Sequence, residues 1–214
     1  MAVPLLLEPL IQECEDPSQF DDNYKKWAKN YIWAGIGKHK GIGVFLRNAH
    51  FTLNKLDYHD GGLQSFLPCV INENVILIAV WTKQSKSHTF RYIGQFWKYL
   101  QIHKKKMERE PIVICGDFNS NVCWDERHRR CNHSDVVREL EEIGIYSLYH
   151  EIMKENQGKE SRPTLYMHRK LAKPYHIDYA FISKQLLNAD FSLEVGKHEI
   201  WLDHSDHMPL IFSL

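Results

Sequence analysis

Three short stretches of this chain concentrate groups that can move protons or hold hard cations. Ile112–Ser120 reads IVICGDFNS: an apolar run ends at Gly116, and Asp117 and Asn119 follow at once. Glycine lets the backbone turn tightly there. At i and i+2 of an extended stretch both side chains face one side. A carboxylate beside an amide suits a water that must be both deprotonated and aimed. An ordinary Asp/Asn turn would use the same residue types. Asp203–Leu210 reads DHSDHMPL and sets two Asp and two His within five positions, just ahead of a last apolar run. Such a pair offers a hard oxygen ligand and a group that titrates near neutrality, although a solvated turn could look alike. His176–Tyr179, HIDY, puts Asp178 inside an apolar strand. A carboxylate buried there must be paired or hydrogen-bonded, and a histidine that it orients is one natural partner. Near the start, Gln12-Glu13 adds a carboxylate able to hold a hard metal, a weak signal by itself.

These groups need elements to position them. Strand-length apolar, β-branched runs recur at Ile42–Leu46, Val75–Val80, Ile112–Cys115, Ile177–Ile182 and Leu210–Phe212. Several are apolar throughout, as strands buried on both faces are. Phe90, Ile93, Trp97 and Leu100 share one helical face, with Ser87 or Thr89 as the cap. A second helix is predicted over Ser134–Ile143, stopped by Gly144. Strands mixed with helices give an α/β class. Asn54–Gly62 and Asn156–Lys173 read as polar loops, and Trp27, Tyr31, Trp33, Phe96 and Trp97 as core.

In order and spacing, Gln12-Glu13, Gly116-Asp117-Phe118-Asn119, His176-Ile177-Asp178-Tyr179 and Ser205-Asp206-His207-Met208-Pro209 resemble the motifs of the endonuclease/exonuclease/phosphatase superfamily. Exonuclease III and DNase I share that fold. The resemblance spans Gln12 to Leu214. It implies a single domain over residues 1–214: a four-layer α/β sandwich, two packed mixed β-sheets flanked by helices, DNase I-like. It also implies hydrolysis of phosphate esters with Mg²⁺ or Mn²⁺. Carried over residue by residue, Glu13 holds the metal with help from Asp206. Asp117 and Asn119 orient and activate the water. His207 contacts the phosphate or acts as acid/base, and Asp178 braces it. Two departures stand out. The family's usual first strand, of W-N type and upstream of the Q-E, is not found before Gln12, so the expectation is a chain lacking that strand. After Val75–Val80, where the family tends to carry a Tyr or His, this chain has Trp81-Thr82.

Length and composition set the bounds. The 214 residues are 43% hydrophobic and 25% charged, ordinary globular usage that excludes disordered and fibrous classes. Lys plus Arg balance Asp plus Glu at 27 each, so no global field draws in a polyanion and any such affinity is local. One basic stretch, His103–Arg109, reads as a solvated helix end. The other, Arg127–Arg130, lies beyond the G-D-F-N with Trp124 nearby. There Arg127, Arg129 and Arg130 could contact phosphates while Trp124 stacks a base. Cys123, His128, Cys131 and His133 lack zinc-knuckle spacing. Five scattered cysteines and no signal peptide predict a cytoplasmic protein with reduced thiols. No apolar run is long enough to span a membrane. The expectation is a monomeric, cytoplasmic, metal-dependent phosphodiesterase of nuclease type acting on nucleic acid. The alternatives are a phosphatase of the same fold acting on a small phosphorylated molecule, or an inactive domain that binds nucleic acid or protein.

Overall fold

The computed structural model describes residues 9–59, 61–63, 66–187 and 191–213. The opening segment read above for a signal peptide, and the expected lack of a first strand, lie outside the described residues. Along the chain run β1 (Leu10–Cys14), α1 (Asp22–Trp27), β2 (Asn30–Gly35), β3 (Gly41–Leu46), β4 (Leu53–Lys55), β5 (Phe66–Ile71) and β6 (Val75–Trp81). Then come α2 (Ile93–Met107), β7 (Ile112–Asp117), α3 (His133–Glu142), β8 (Ile145–Ser147), α4 (Leu148–Met153), β9 (Leu165–Tyr166) and β10 (Pro174–Tyr175). The chain closes with β11 (Asp178–Ser183), β12 (Ser192–Val195), α5 (His198–Trp201) and β13 (Leu210–Ser213).

A mixed six-stranded sheet is ordered β4-β5-β6-β7-β11-β8; only β6 and β7 run parallel. Its central strands are buried on both faces, and their side chains alternate between two cores. Ile76, Ile78, Val80, Ile112, Ile114, Tyr179 and Phe181 meet Phe96, Leu100, Val136 and Leu140 of α2 and α3. Leu77, Ala79, Val113, Cys115, Ala180 and Ile182 meet Ile42, Val44 and Phe212 of the opposing strands. Those strands form a three-stranded sheet, β1-β3-β2, and a β12-β13 pair. Outside the three-stranded sheet, Tyr24 and Trp27 of α1 pack with Tyr31 and Trp33 around buried Phe45. The resulting order is helices, sheet, sheets, helix, the sandwich that the resemblance implies.

All five predicted strands and the Ser134–Ile143 helix are present, the latter closed by Gly144 at φ 75. The first helix begins later than its pattern. Ser87 Oγ accepts the Phe90 amide in a turn, and α2 starts only at Ile93. Asn156–Lys173 is not wholly loop, because it contains β9.

Sheet packing fixes Gly116. Its φ is 138°, a conformation L side chains rarely adopt, and a Cβ there would lie 2.1 Å from Val80 O and 2.7 Å from Gln12 Nε2. Gly116→Ala is expected to cost about 3 kcal/mol through strain and overpacking, measured by urea unfolding. An unchanged midpoint would refute this account of the contact between β1 and β7.

Candidate active site

At the end of β7, Asp117 lies opposite Asp178 of β11 in register, and opposite Trp81 of β6. Residues two apart along a strand share a face, so all three side chains belong to the face turned toward β1 and β13. Asp117 is 5% exposed and Asp178 8%. His207 reaches them from the far end of the chain: its Nδ1 stands 3.0 and 3.2 Å from the two Asp178 oxygens. A carboxylate only accepts, so Nδ1 carries the proton and Nε2 faces outward. Burial alone would lower the His207 pKa. Asp178, by charge and hydrogen bond, with Asp117 and Asp206 beyond it, outweighs burial and carries it up to about 9. The Asp117 carboxyl is pushed well up, first by burial and then by the Asp178 charge, with His207 opposing.

Asn119 closes the other side. Its amide N–H donates to Asp117 Oδ1 at 2.8 Å, and its Nδ2 donates to Asp117 Oδ2 and to Thr82 O. The extended geometry expected for this pair is absent. Asn119 sits at φ 46, and this left-handed turn folds its side chain onto Asp117. With Nδ2 engaged, Oδ1 is left to accept.

The loops that hold these groups rest on residues not singled out in the sequence. Thr164 is fully buried, and its Oγ1 accepts the amides of Ile177 and Asp178. The Asp206-His207 segment is strapped by Tyr166 N to Asp206 O and Met208 N to Thr164 O. Arg169 holds the preceding turn through Asp203 O and His204 O. Asn121 Nδ2 reaches His176 O, Tyr179 Oη and Glu160 Oε2. His176, the nearer histidine in sequence, is not the one that Asp178 orients: its Nδ1 contacts Arg162 O. Most of these bonds join a side chain to the backbone of a distant loop, which leaves no periodic trace in sequence.

Trp124 is 43% exposed and backed by Tyr175, ring centroids 5.0 Å apart. Arg127 and Arg130 are exposed. Arg129 turns inward instead: its guanidinium donates to Thr89 O and Arg91 O, and its side chain is 11% exposed.

The model of the Endonuclease/Exonuclease/phosphatase family matches residues 10–207. The chain belongs to this family. Solved structures agree in fold. One is the 3′ phosphatase NExo from Neisseria bound to product DNA hairpin, at TM-score 0.68 and 17% identity, covering 96% of this chain and 87% of that one. Another is an AP endonuclease from Archaeoglobus fulgidus, at TM-score 0.62 and 19% identity, with coverage of 96% and 87%. The endonuclease domain of TRAS1, a telomere-specific non-LTR retrotransposon, reaches TM-score 0.59 at 14% identity, covering 86% and 79%. No curated protein matches the chain in sequence.

Members of the family are generally divalent-metal dependent. Among the described residues no three His, Cys, Asp or Glu side chains converge as a metal cage. The donor set fits a looser arrangement. Mg²⁺ keeps several waters and takes one or two protein carboxylates. Glu13 sits where the pairing of β1 with β3 slips, at φ 57, and its carboxylate is held 2.7 Å from Lys40 Nζ. A bulge re-aims a side chain in this way. Asp206 has no hydrogen-bonded side-chain partner among the described residues. A cation at Glu13 would have to displace Lys40 Nζ, while Asp206 carries no such partner and the carboxylates of Asp117 and Asp178 are engaged by Asn119 and His207.

Two outcomes follow for this family member. A non-glycine residue at φ 57 stores about 1 kcal/mol of strain, and the exposed Glu13–Lys40 pair contributes little in return. Glu13→Gly is therefore expected to hold or raise the unfolding midpoint while lowering hydrolysis; a clear loss of stability would contradict this. Burial alone would raise the Glu160 pKa, but bonds from His150, the Gly158 amide and Asn121 hold it at about 2. A depressed carboxylate stabilises the fold above its ordinary range and loses that contribution as pH falls toward the folded value. Glu160→Gln should cost about 2 kcal/mol at neutral pH. The gap to wild type should narrow as pH falls from about 4.5 toward 2. A pH-independent gap in urea unfolding would sink this account.

Proposed function

We propose that this chain is a phosphodiesterase of nuclease type, hydrolysing phosphodiester bonds of nucleic acid with help from Mg²⁺ or Mn²⁺. The observation that supports it is the convergence of Asp117, Asn119 and the Asp178-oriented His207 at one end of the central sheet. A phosphodiester needs an oriented nucleophile, a proton acceptor and positive charge on its oxygens. Each group has a role. Asn119 Oδ1 accepts from the attacking water and aims it. Asp117, in its ionised form, accepts the proton that the water loses as its oxygen bonds to phosphorus; burial, which raises its pKa, makes that form the stronger base. The bond from phosphorus to the departing oxygen then breaks. Asp178 keeps His207 charged and turned so that Nε2–H donates to a phosphate oxygen. When bound at Glu13 and Asp206, a divalent ion neutralises phosphate oxygens and supports the departing oxyanion.

A phosphomonoesterase reading has a specific support, since one similar fold is a 3′ phosphatase. The test therefore presents labelled single- and double-stranded DNA and RNA, with 3′-hydroxyl or 3′-phosphate ends, in Mg²⁺, Mn²⁺ or EDTA. Cleavage within or from the strand supports the proposal, and phosphate release alone favours the second reading. Asp117→Ala and His207→Ala are each expected to lower the rate by roughly a hundredfold or more with the fold retained. Near-wild-type rates in both variants would overturn the assignment.

A further inference from the structure

A cavity of about 430 Å³ opens beside Asn119, between the start of α2, the Trp124 turn and the start of α3. Asn119 lines both this cavity and the reacting centre, so an occupant lies next to the phosphate under attack. We propose that this cavity seats an unpaired nucleobase of the substrate strand, stacked on Trp124. The inference rests on the phosphodiesterase reading and names the feature of the substrate that this site recognises.

The charges exclude a plain phosphate pocket. Arg91 and Arg129 both face Glu126, at 3.6 and 3.9 Å, and Arg129 is further spent on two carbonyls. The first amides of α3, which would attract an anion, are already filled: His133 N and Ser134 N donate to the Asp125 carboxylate at 2.8 and 3.1 Å. What remains is suited to a flat, neutral, hydrogen-bonding group. Trp124 offers a partly exposed ring already fixed by Tyr175, so stacking on it costs little ordering.

The polar edge is supplied by Asn119 and Ser120, which line the cavity beside Trp124, while the His133 ring turns away to pack on Tyr179. At the rim, Tyr92 is held at φ 50 and ψ −121, a conformation that persists only where the surroundings impose it.

The test uses short fluorescent oligodeoxynucleotides in which one base at a time is replaced by a tetrahydrofuran spacer. Hydrolysis is followed in Mg²⁺, and binding by anisotropy in EDTA, for wild type, Trp124→Ala and Trp124→Phe. Removing the base beside the cleaved phosphate should lower wild-type kcat/KM roughly tenfold to a hundredfold. Trp124→Ala should carry most of that loss with the intact strand and respond little to the spacer, whereas Trp124→Phe should stay near wild type. If wild type and Trp124→Ala respond alike to every spacer, the base pocket is wrong even though hydrolysis stands. If no ester is cleaved but binding depends on one base and on Trp124, the phosphodiesterase reading fails and the pocket survives.

Discussion

Two carboxylates on adjacent buried strands govern the rest of this structure. Asp117 and Asp178 face each other across an antiparallel pair, on a face otherwise lined with apolar side chains. Bare carboxylates so placed cost several kcal/mol unless protonated or countered. The chain meets that demand in two ways. His207 brings a cation to Asp178, and Asn119 brings two N–H donors to Asp117. Because the countercharge comes from the last segment of the chain, the site exists only once β13 and the strap around Thr164 have docked.

Strain is distributed accordingly. Of the eight non-glycine residues at positive φ among the described residues, Glu13, Tyr92, Asn119, His168 and Arg169 lie in or beside the segments that hold the site or its cavity, while Asn72 and Glu73 turn β5 into β6 and Lys154 ends α4. The centre of the sheet is regular and dry: Leu77, Ile78, Ala79 and Val80 are wholly buried. A rigid sheet can hold costly backbone conformations at its rim, and such a division is usual where function requires a geometry that folding alone would not choose.

The fold was legible where one residue pattern decides structure. Val75–Val80 and Ile112–Cys115 are apolar throughout because both faces are covered, and their strands are found as read. Phe66–Ile71 was not legible: it contains Pro68, which a paired strand tolerates only because its neighbour β4 is short. The helix at Phe90 misled because its apolar spacing continues through a turn, where Phe90 stacks on Trp97 without being helical. Within the site, Asp117, Asn119, Asp178 and His207 stood out because polar groups punctuate apolar strands. Thr164, Asn121 and Glu160 did not, since their work is to satisfy the backbone of loops distant in sequence.

The even charge balance fits this arrangement. The site draws on few free cations: Lys40 is held by Glu13, Arg91 by Glu126, and Arg129 and Arg169 by backbone carbonyls. A protein that grips a polyanion mainly through its field leaves such groups open, and its affinity then falls steeply with salt. Here the oriented imidazolium of His207 is the charge set within the site, with Arg127 and Arg130 exposed beside Trp124. On the proposed reading, discrimination comes from what stacks and pairs next to the phosphate, and the phosphate itself supplies only the anchor.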